Sequence, residues 1–220
     1  MSQSFNRAVK LAAAASIVAA IAVHFIARPL LVWTCAPLAT LLILAIAFAN
    51  WTARKDPYSL WISIGLLFSL AGDVLLLRPD HFFTLGLSAF LLAHIAYLIA
   101  FTRDTNFPAR FGVWFVYLLF AACCYFLLYS WLPSRLQIPV ALYAVLLLSM
   151  AAQAMGRSLK LRTTSARFAA IGALLFVLSD GLLAFNRFYK PLPLAPLLVL
   201  LPYYAAQWLI ASSTDGTLPS

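Results

Sequence analysis

Two aspartates sit inside long apolar runs. Asp73 lies in GLLFSLAGDVLLL (65–77) and Asp180 in GALLFVLSDGLLAFNRF (172–188). A carboxylate held in hydrocarbon costs a few kcal/mol or more, so each such residue is a functional-site candidate by default. Two in similar settings are a stronger one. A pair of carboxyls in a water-poor site can divide the work, one serving as general acid and the other as general base. That chemistry suits hydrolysis of an acid-labile bond in a lipid, and equally intramembrane proteolysis or proton-coupled transport. The residues by themselves do not choose among these. No G-x-S-x-G elbow, phosphate-binding loop or zinc signature is present. Cys35, Cys123 and Cys124 all fall in apolar runs, without the spacing of a metal site or a disulfide framework.

Other polar side chains gather near the two carboxyls in sequence. Gly65, Ser69 and Gly72 share a helical face that Asp73 borders, and small residues there let a neighbouring backbone approach. Ser179 precedes Asp180, and Gly172, Ser179 and Asn186 recur every seven residues. Ser179 is placed to bond Asp180 or a substrate group. Phe90, His94 and Tyr97 share a face of the intervening run. Counted from Phe82, His94 lies ~18 Å deep, below Asp73, so contact between them needs a tilt or a water. Tyr203, Tyr204 and Gln207 follow Pro202, and Ser149 and Gln153 lie four apart. Pointed inward, these groups would make one site within a helical bundle.

The elements that must position them are membrane spans. The chain has 220 residues, 65% hydrophobic and 10% charged, too apolar for a soluble domain. The runs are continuous rather than alternating, which disfavours a barrel. The fold class expected is all-α: a polytopic membrane protein of eight transmembrane helices in a single domain. The spans read as 9–27, 30–50, 58–77, 82–101, 111–131, 136–155, 168–185 and 192–211. The layout of 7–22 resembles a signal peptide, but an uncleaved first span gives the better topology. The formal charge of +9 is spread singly and in small groups between runs, as in loops facing anionic headgroups, and no nucleic-acid partner is expected. Ten basic residues (Arg7, Lys10, Arg54, Lys55, Arg103, Arg110, Arg157, Lys160, Arg162, Arg167) fall on one side and five (Arg28, Arg78, Arg135, Arg187, Lys190) on the other. That asymmetry predicts both termini in the cytoplasm, with a bacterial inner membrane as the expected location. Asp73 and Asp180 then lie at similar depths, about 6–10 Å from the outer ends of their spans. The resemblance of Leu66-Leu67-Phe68 before Asp73 to Leu174-Leu175-Phe176 before Asp180, one residue shorter, suggests a parallel four-plus-four repeat.

The stretches GLLFSLAGDVLLL with Pro79, FFTLGLSAFLLAHIAYLIAF, FVLSDGLLAFNRF and YYAAQWLI resemble, in order and separation, the YhhN/TMEM86 family of lysoplasmalogenases. The resemblance implies an eight-span enzyme that hydrolyses the vinyl ether bond of lysoplasmalogen. The products would be a fatty aldehyde and glycerophosphocholine or glycerophosphoethanolamine, with no metal and no organic cofactor. It implies catalytic roles for Asp73 and Asp180, surrounded by Gly72, His94, Tyr97, Ser179, Asn186, Tyr203 and Gln207. Arg78 or Arg187, at the outer ends of their spans, could hold the lipid phosphate, or else snorkel to headgroups. The partners expected are the lysophospholipid substrate and membrane lipids. Beside this stand a proton-coupled transporter of a small amphiphile and a structural protein with both carboxyls tied up in packing. An intramembrane aspartyl protease is disfavoured, because Asp73 follows Ala71-Gly72 and Asp180 follows Leu178-Ser179.

Overall fold

The structure is a computed structural model that describes residues 3–25 and 29–215, with side chains over 9–24 and 31–215. Arg28 and the side chain of Arg7, both used in the charge count, lie outside the described residues, as does the expected end of the first span.

Eight α-helices follow one another: α1 Gln3–Ala22, α2 Pro29–Arg54, α3 Pro57–Leu76, α4 Pro79–Phe101, α5 Phe111–Tyr129, α6 Ser134–Leu161, α7 Thr164–Ala184 and α8 Ala195–Ser212. A π-helical turn, Phe185–Tyr189, carries α7 onward, and a 3-10 turn, Ser213–Asp215, closes α8. No strand occurs among the described residues. Seven of the helices are long and apolar enough to cross a membrane; the apolar part of α1, Val9–Ala22, is shorter. The chain is an integral membrane protein of the all-helical, polytopic class. Only an α-helix or a closed barrel satisfies its backbone polar groups inside lipid, and the continuous apolar runs select the helix.

Local chemistry fixes several helix ends. Pro57 opens α3, and the Asp56 side chain caps it by accepting from the Ser59 N–H at 2.8 Å. Pro79 opens α4, which bends at Phe82. Thr163 caps α7 by accepting from the Ala166 N–H at 3.2 Å. The expected basic loop between the sixth and seventh spans is largely helix. α6 runs on to Leu161 and stops at Arg162, whose φ of 57° is left-handed. Arg157 is therefore buried in α6, paired with Asp104 at 2.6 Å and set over the Tyr58 ring. It clamps the α4–α5 connection instead of facing headgroups.

Successive helices run up and down. One end of the bundle carries Lys10 and the last described residues with the α2–α3, α4–α5 and α6–α7 connections; the distal end carries the α3–α4, α5–α6 and α7–α8 connections. The neighbour pattern repeats after four helices. The α3–α4 and α7–α8 hairpins make the most extensive contacts, and the corresponding neighbours also pack in both halves: α1 on α2 as α5 on α6, and α2 on α3 as α6 on α7. The halves join reciprocally, α4 on α6 and α8 on α2. The correspondence has no deletion: Asp73 stands eight residues after Gly65, and Asp180 eight after Gly172. The Leu-Leu-Phe match was one position out of register. Within each half the glycine meets the fourth helix. A Cβ on Gly65 would fall 2.2 Å from the Tyr97 ring, and one on Gly172 3.0 Å from the Ala206 carbonyl. In the first half the small residues thus admit rings rather than backbone, since Gly72 likewise receives Phe90.

α5 stands apart. Ala121 is its only buried residue; one side packs on α6 and much of the rest of its apolar surface is exposed.

Candidate active site

Asp180 is held by side chains from two other helices. Tyr143 of α6 donates its hydroxyl to Asp180 Oδ2. His94 of α4 places Nε2 2.9 Å from the Tyr143 oxygen and 3.5 Å from the same carboxylate oxygen. Since the single phenolic proton is directed at Asp180, the Tyr143 oxygen accepts from His94 Nε2–H. The His94 ring is fully buried, edge-on to Phe176 at 4.7 Å, and its Nδ1 has no hydrogen-bond partner among the described residues. Asp180 Oδ2 is thus engaged, while Oδ1 carries no hydrogen bond among the described residues.

Asp73 belongs to a second cluster. Thr40 of α2 donates to its Oδ2 at 2.5 Å and Tyr203 of α8 to its Oδ1 at 2.6 Å. Gln207 donates to the Tyr203 oxygen at 2.9 Å and accepts from Tyr97 at 3.1 Å, and Tyr97 meets Ser69 at 3.2 Å. The two carboxyls share no hydrogen-bond partner. Phe176 stands at the boundary, its ring 5.5 Å from Tyr203 and 4.7 Å from His94.

Asp73 lies three residues before the end of α3, but Asp180 lies nine before the end of the π turn that prolongs α7. At ~1.5 Å per residue Asp180 is the more deeply set within its element. His94, expected around the two aspartates, meets Asp180.

Asp180 opens onto a cavity of about 860 Å³ between α4, α5, α6 and α7. Its walls are leucines and phenylalanines, among them Leu147, Leu174, Phe120 and Phe90; Tyr143, Asp180 and Arg187 are its main polar residues. That volume lies within the ~300–1,000 Å³ usual for small-molecule sites. Gly181, also on the wall, leaves open space where a Cβ would stand. Asp73 does not line the cavity. At the distal end a polar pocket of about 490 Å³ adjoins it, sharing Phe83, Arg187 and Phe188.

The other expected residues divide between these features and the scaffold. Gly72 is buried under Phe90, and a Cβ there would lie 2.5 Å from that ring. Ser179 is buried and donates to the Val199 carbonyl of α8 at 2.9 Å, not to Asp180. Asn186 Oδ1 accepts from the Leu192 N–H at 2.8 Å and ties the π turn to the next loop. Arg78 lies over the Trp33 ring and lines neither cavity. On α6, Ser149 accepts from the Trp114 indole, and Gln153 bonds the 101–109 segment through four hydrogen bonds. Both hold structure. Tyr143, the α6 residue that does reach the site, was missed among apolar neighbours, as was Thr40. A phenol inside a span needs a polar partner, and that was the available signal.

The human protein named lysoplasmalogenase TMEM86A is 32% identical over 184 residues, 81% of this chain and 75% of that protein. The Sus scrofa lysoplasmalogenase TMEM86B is 37% identical over 158 residues, 72% of this chain and 65% of that protein. The Mycobacterium bovis lysoplasmalogenase is 33% identical over 136 residues, 58% of this chain and 50% of that protein. The chain thus spans about two thirds to three quarters of these mammalian relatives and half of the mycobacterial one. No solved structure matches it. The YhhN family profile matches residues 30–214, all but the first described helix, and the chain belongs to the YhhN family.

Proposed function

We propose that this protein is a lysoplasmalogenase that cleaves the vinyl ether bond of a lysoplasmalogen, releasing a fatty aldehyde and glycerophosphocholine or glycerophosphoethanolamine. The observation that carries the reading is Asp180 on the wall of an apolar cavity suited to an alkenyl chain, its Oδ1 without a hydrogen bond among the described residues. The names of the relatives supply the substrate class.

The chemistry follows from the bond. A vinyl ether hydrolyses by slow protonation of its β-carbon, which leaves an oxocarbenium ion. Asp180 enters as the acid and passes the proton from Oδ1 to that carbon. The carboxylate left behind keeps the Tyr143 hydroxyl and the nearby His94 Nε2 on Oδ2, and it faces the new cation. Water then adds to the cationic carbon and gives a proton back to Asp180. That restores the acid; the hemiacetal then collapses to aldehyde and alcohol as Asp180 protonates the leaving oxygen and takes the hemiacetal hydroxyl proton in return. One water is consumed and no net proton is exchanged.

Asp73, expected as one of an acid–base pair and favoured by its apolar neighbours as the acid, acts in this scheme as a positioning residue. It anchors Tyr203, which packs on Phe176, which in turn packs on the His94 ring.

Product analysis on purified protein in detergent tests the proposal. A lysoplasmalogen and a saturated alkyl-ether lysolipid are supplied in parallel. Aldehyde from the vinyl ether alone is the expected result. No aldehyde from folded protein across pH and headgroup would overturn it, and movement of intact lipid driven by a proton gradient would favour transport instead.

A further inference from the structure

The polar pocket at the distal end is unassigned by the activity itself. Its walls bring together residues from the first turns of α4 and α6, from the turn before α6 and from the π turn after α7. Arg135, Arg187, His81 and Asp80 all face it, with Trp131. Arg135 has no ion pair or hydrogen bond among the described residues. Arg187 and Asp80 approach only to 3.8 Å, with side chains 40% and 84% exposed. A loose exposed pair of this kind contributes little by itself and opens readily to a ligand. The Arg187 guanidinium also lies 5.2 Å from the Phe83 ring, which holds it where the polar pocket meets the apolar cavity.

We propose that this pocket binds the zwitterionic phosphodiester headgroup of an amphiphile whose chain fills the apolar cavity. Arg135 and Arg187 take the phosphate, and Asp80, with the Trp131 face, takes the ammonium. This rests on the lipid-hydrolase reading and deepens it.

Three points of geometry support it. The two spaces are contiguous through Phe83, Arg187 and Phe188, so one molecule can occupy both. The order of chemistry along α7 and its π turn is that of a lysophospholipid: cation at Arg187, carboxyl at Asp180, leucine at Leu174. Arg187 follows Asp180 by seven residues, about 10 Å along the helix. In a glycerophospholipid the first-carbon ether oxygen and the phosphorus are separated by the glycerol carbons and one ester oxygen. A phosphate within reach of the Arg187 side chain therefore leaves the vinyl ether beside Asp180. The arginines present forked donors matched to phosphate oxygens, and the first turns of α4 and α6 add the positive ends of their dipoles to the same space.

The test is equilibrium binding to the purified full chain of ligands that cannot be cleaved: a saturated alkyl-ether lysophosphatidylethanolamine, the alkylglycerol with the same tail, and glycerophosphoethanolamine. The joined molecule should bind at least tenfold more tightly than either half. Arg135→Ala should lose that advantage over the alkylglycerol, and Arg135→Lys should restore part of it. Asp80→Asn should erase the preference for the zwitterion over an alkyl glycerophosphate without an ammonium. Thermal melting of each variant checks folding. Equal binding of lysolipid and alkylglycerol by wild type, or an unchanged preference in Arg135→Ala, would overturn the headgroup pocket. So would glycerophosphoethanolamine binding as tightly as the lysolipid, which describes a site for free phosphodiester. The hydrolase reading fails separately: binding with the expected pattern but no aldehyde from the vinyl ether leaves the pocket standing without it.

Discussion

Asp73 and Asp180 are pseudo-equivalent residues. Each stands on the third helix of a four-helix half, eight residues after the glycine that meets the fourth helix. Each is held by a hydroxyl from the second helix of its own half, Thr40 or Tyr143. Each is also met by a ring from the fourth helix of the other half, Tyr203 or His94. The halves have diverged around this common frame. Both oxygens of Asp73 are spoken for, whereas Asp180 keeps one free among the described residues and borders the cavity.

The divergence predicts unequal consequences for the same substitution. Asp180→Asn should lower kcat by about 10²–10⁴, the usual contribution of a positioned acid. Asp73→Asn keeps an acceptor for Tyr203 but turns an amide on Thr40. It should cost stability by about 1–3 kcal/mol and lower activity far less. Steady-state kinetics beside thermal melting of both variants decide the matter; equal, complete losses in two well-folded proteins would restore a working pair of carboxyls.

Tyr143→Phe removes the hydroxyl that links His94 to Asp180 while keeping the ring. His94 and Asp180 remain near each other at 3.5 Å, so the fold should persist. A drop in kcat of roughly tenfold to a hundredfold, with KM little changed, is expected for loss of a group acting on the charged carboxylate. A change confined to KM would place Tyr143 in substrate binding instead.

Much of this was legible beforehand. From the second onward, the apolar runs coincide with helices to within a few residues, except where α6 continues to Leu161. Asp73 and Asp180 stood out because a carboxyl in an apolar run is costly. The π turn that extends α7 through Tyr189 was not legible, because it has no apolar signature distinct from a loop. Partnership was not legible either. Which residues touch across a bundle depends on helix rotation and stagger, so Tyr143 looked like filler while Ser149, Gln153 and Ser179 looked like site residues and serve packing.

The glycines separate stability from activity. A methyl at Gly65 would press into the Tyr97 ring at 2.2 Å, so Gly65→Ala should destabilise the protein by about 1–3 kcal/mol. Gly181 meets nothing within 4 Å, so Gly181→Phe should fold and melt like wild type while filling the cavity beside Asp180. Its aldehyde release should fall by at least tenfold on long-chain substrate. Unchanged turnover in Gly181→Phe would put the alkenyl chain elsewhere.

The most direct measurement is the isotopic content of the aldehyde formed in D₂O and trapped by reduction as it is released. Carbon protonation by a solvent-exchanged Asp180 places one deuterium on the carbon next to the aldehyde, and folded Asp180→Asn yields almost no product. Aldehyde without deuterium from wild type, or labelled aldehyde at the wild-type rate from Asp180→Asn, would contradict proton transfer from Asp180 to carbon.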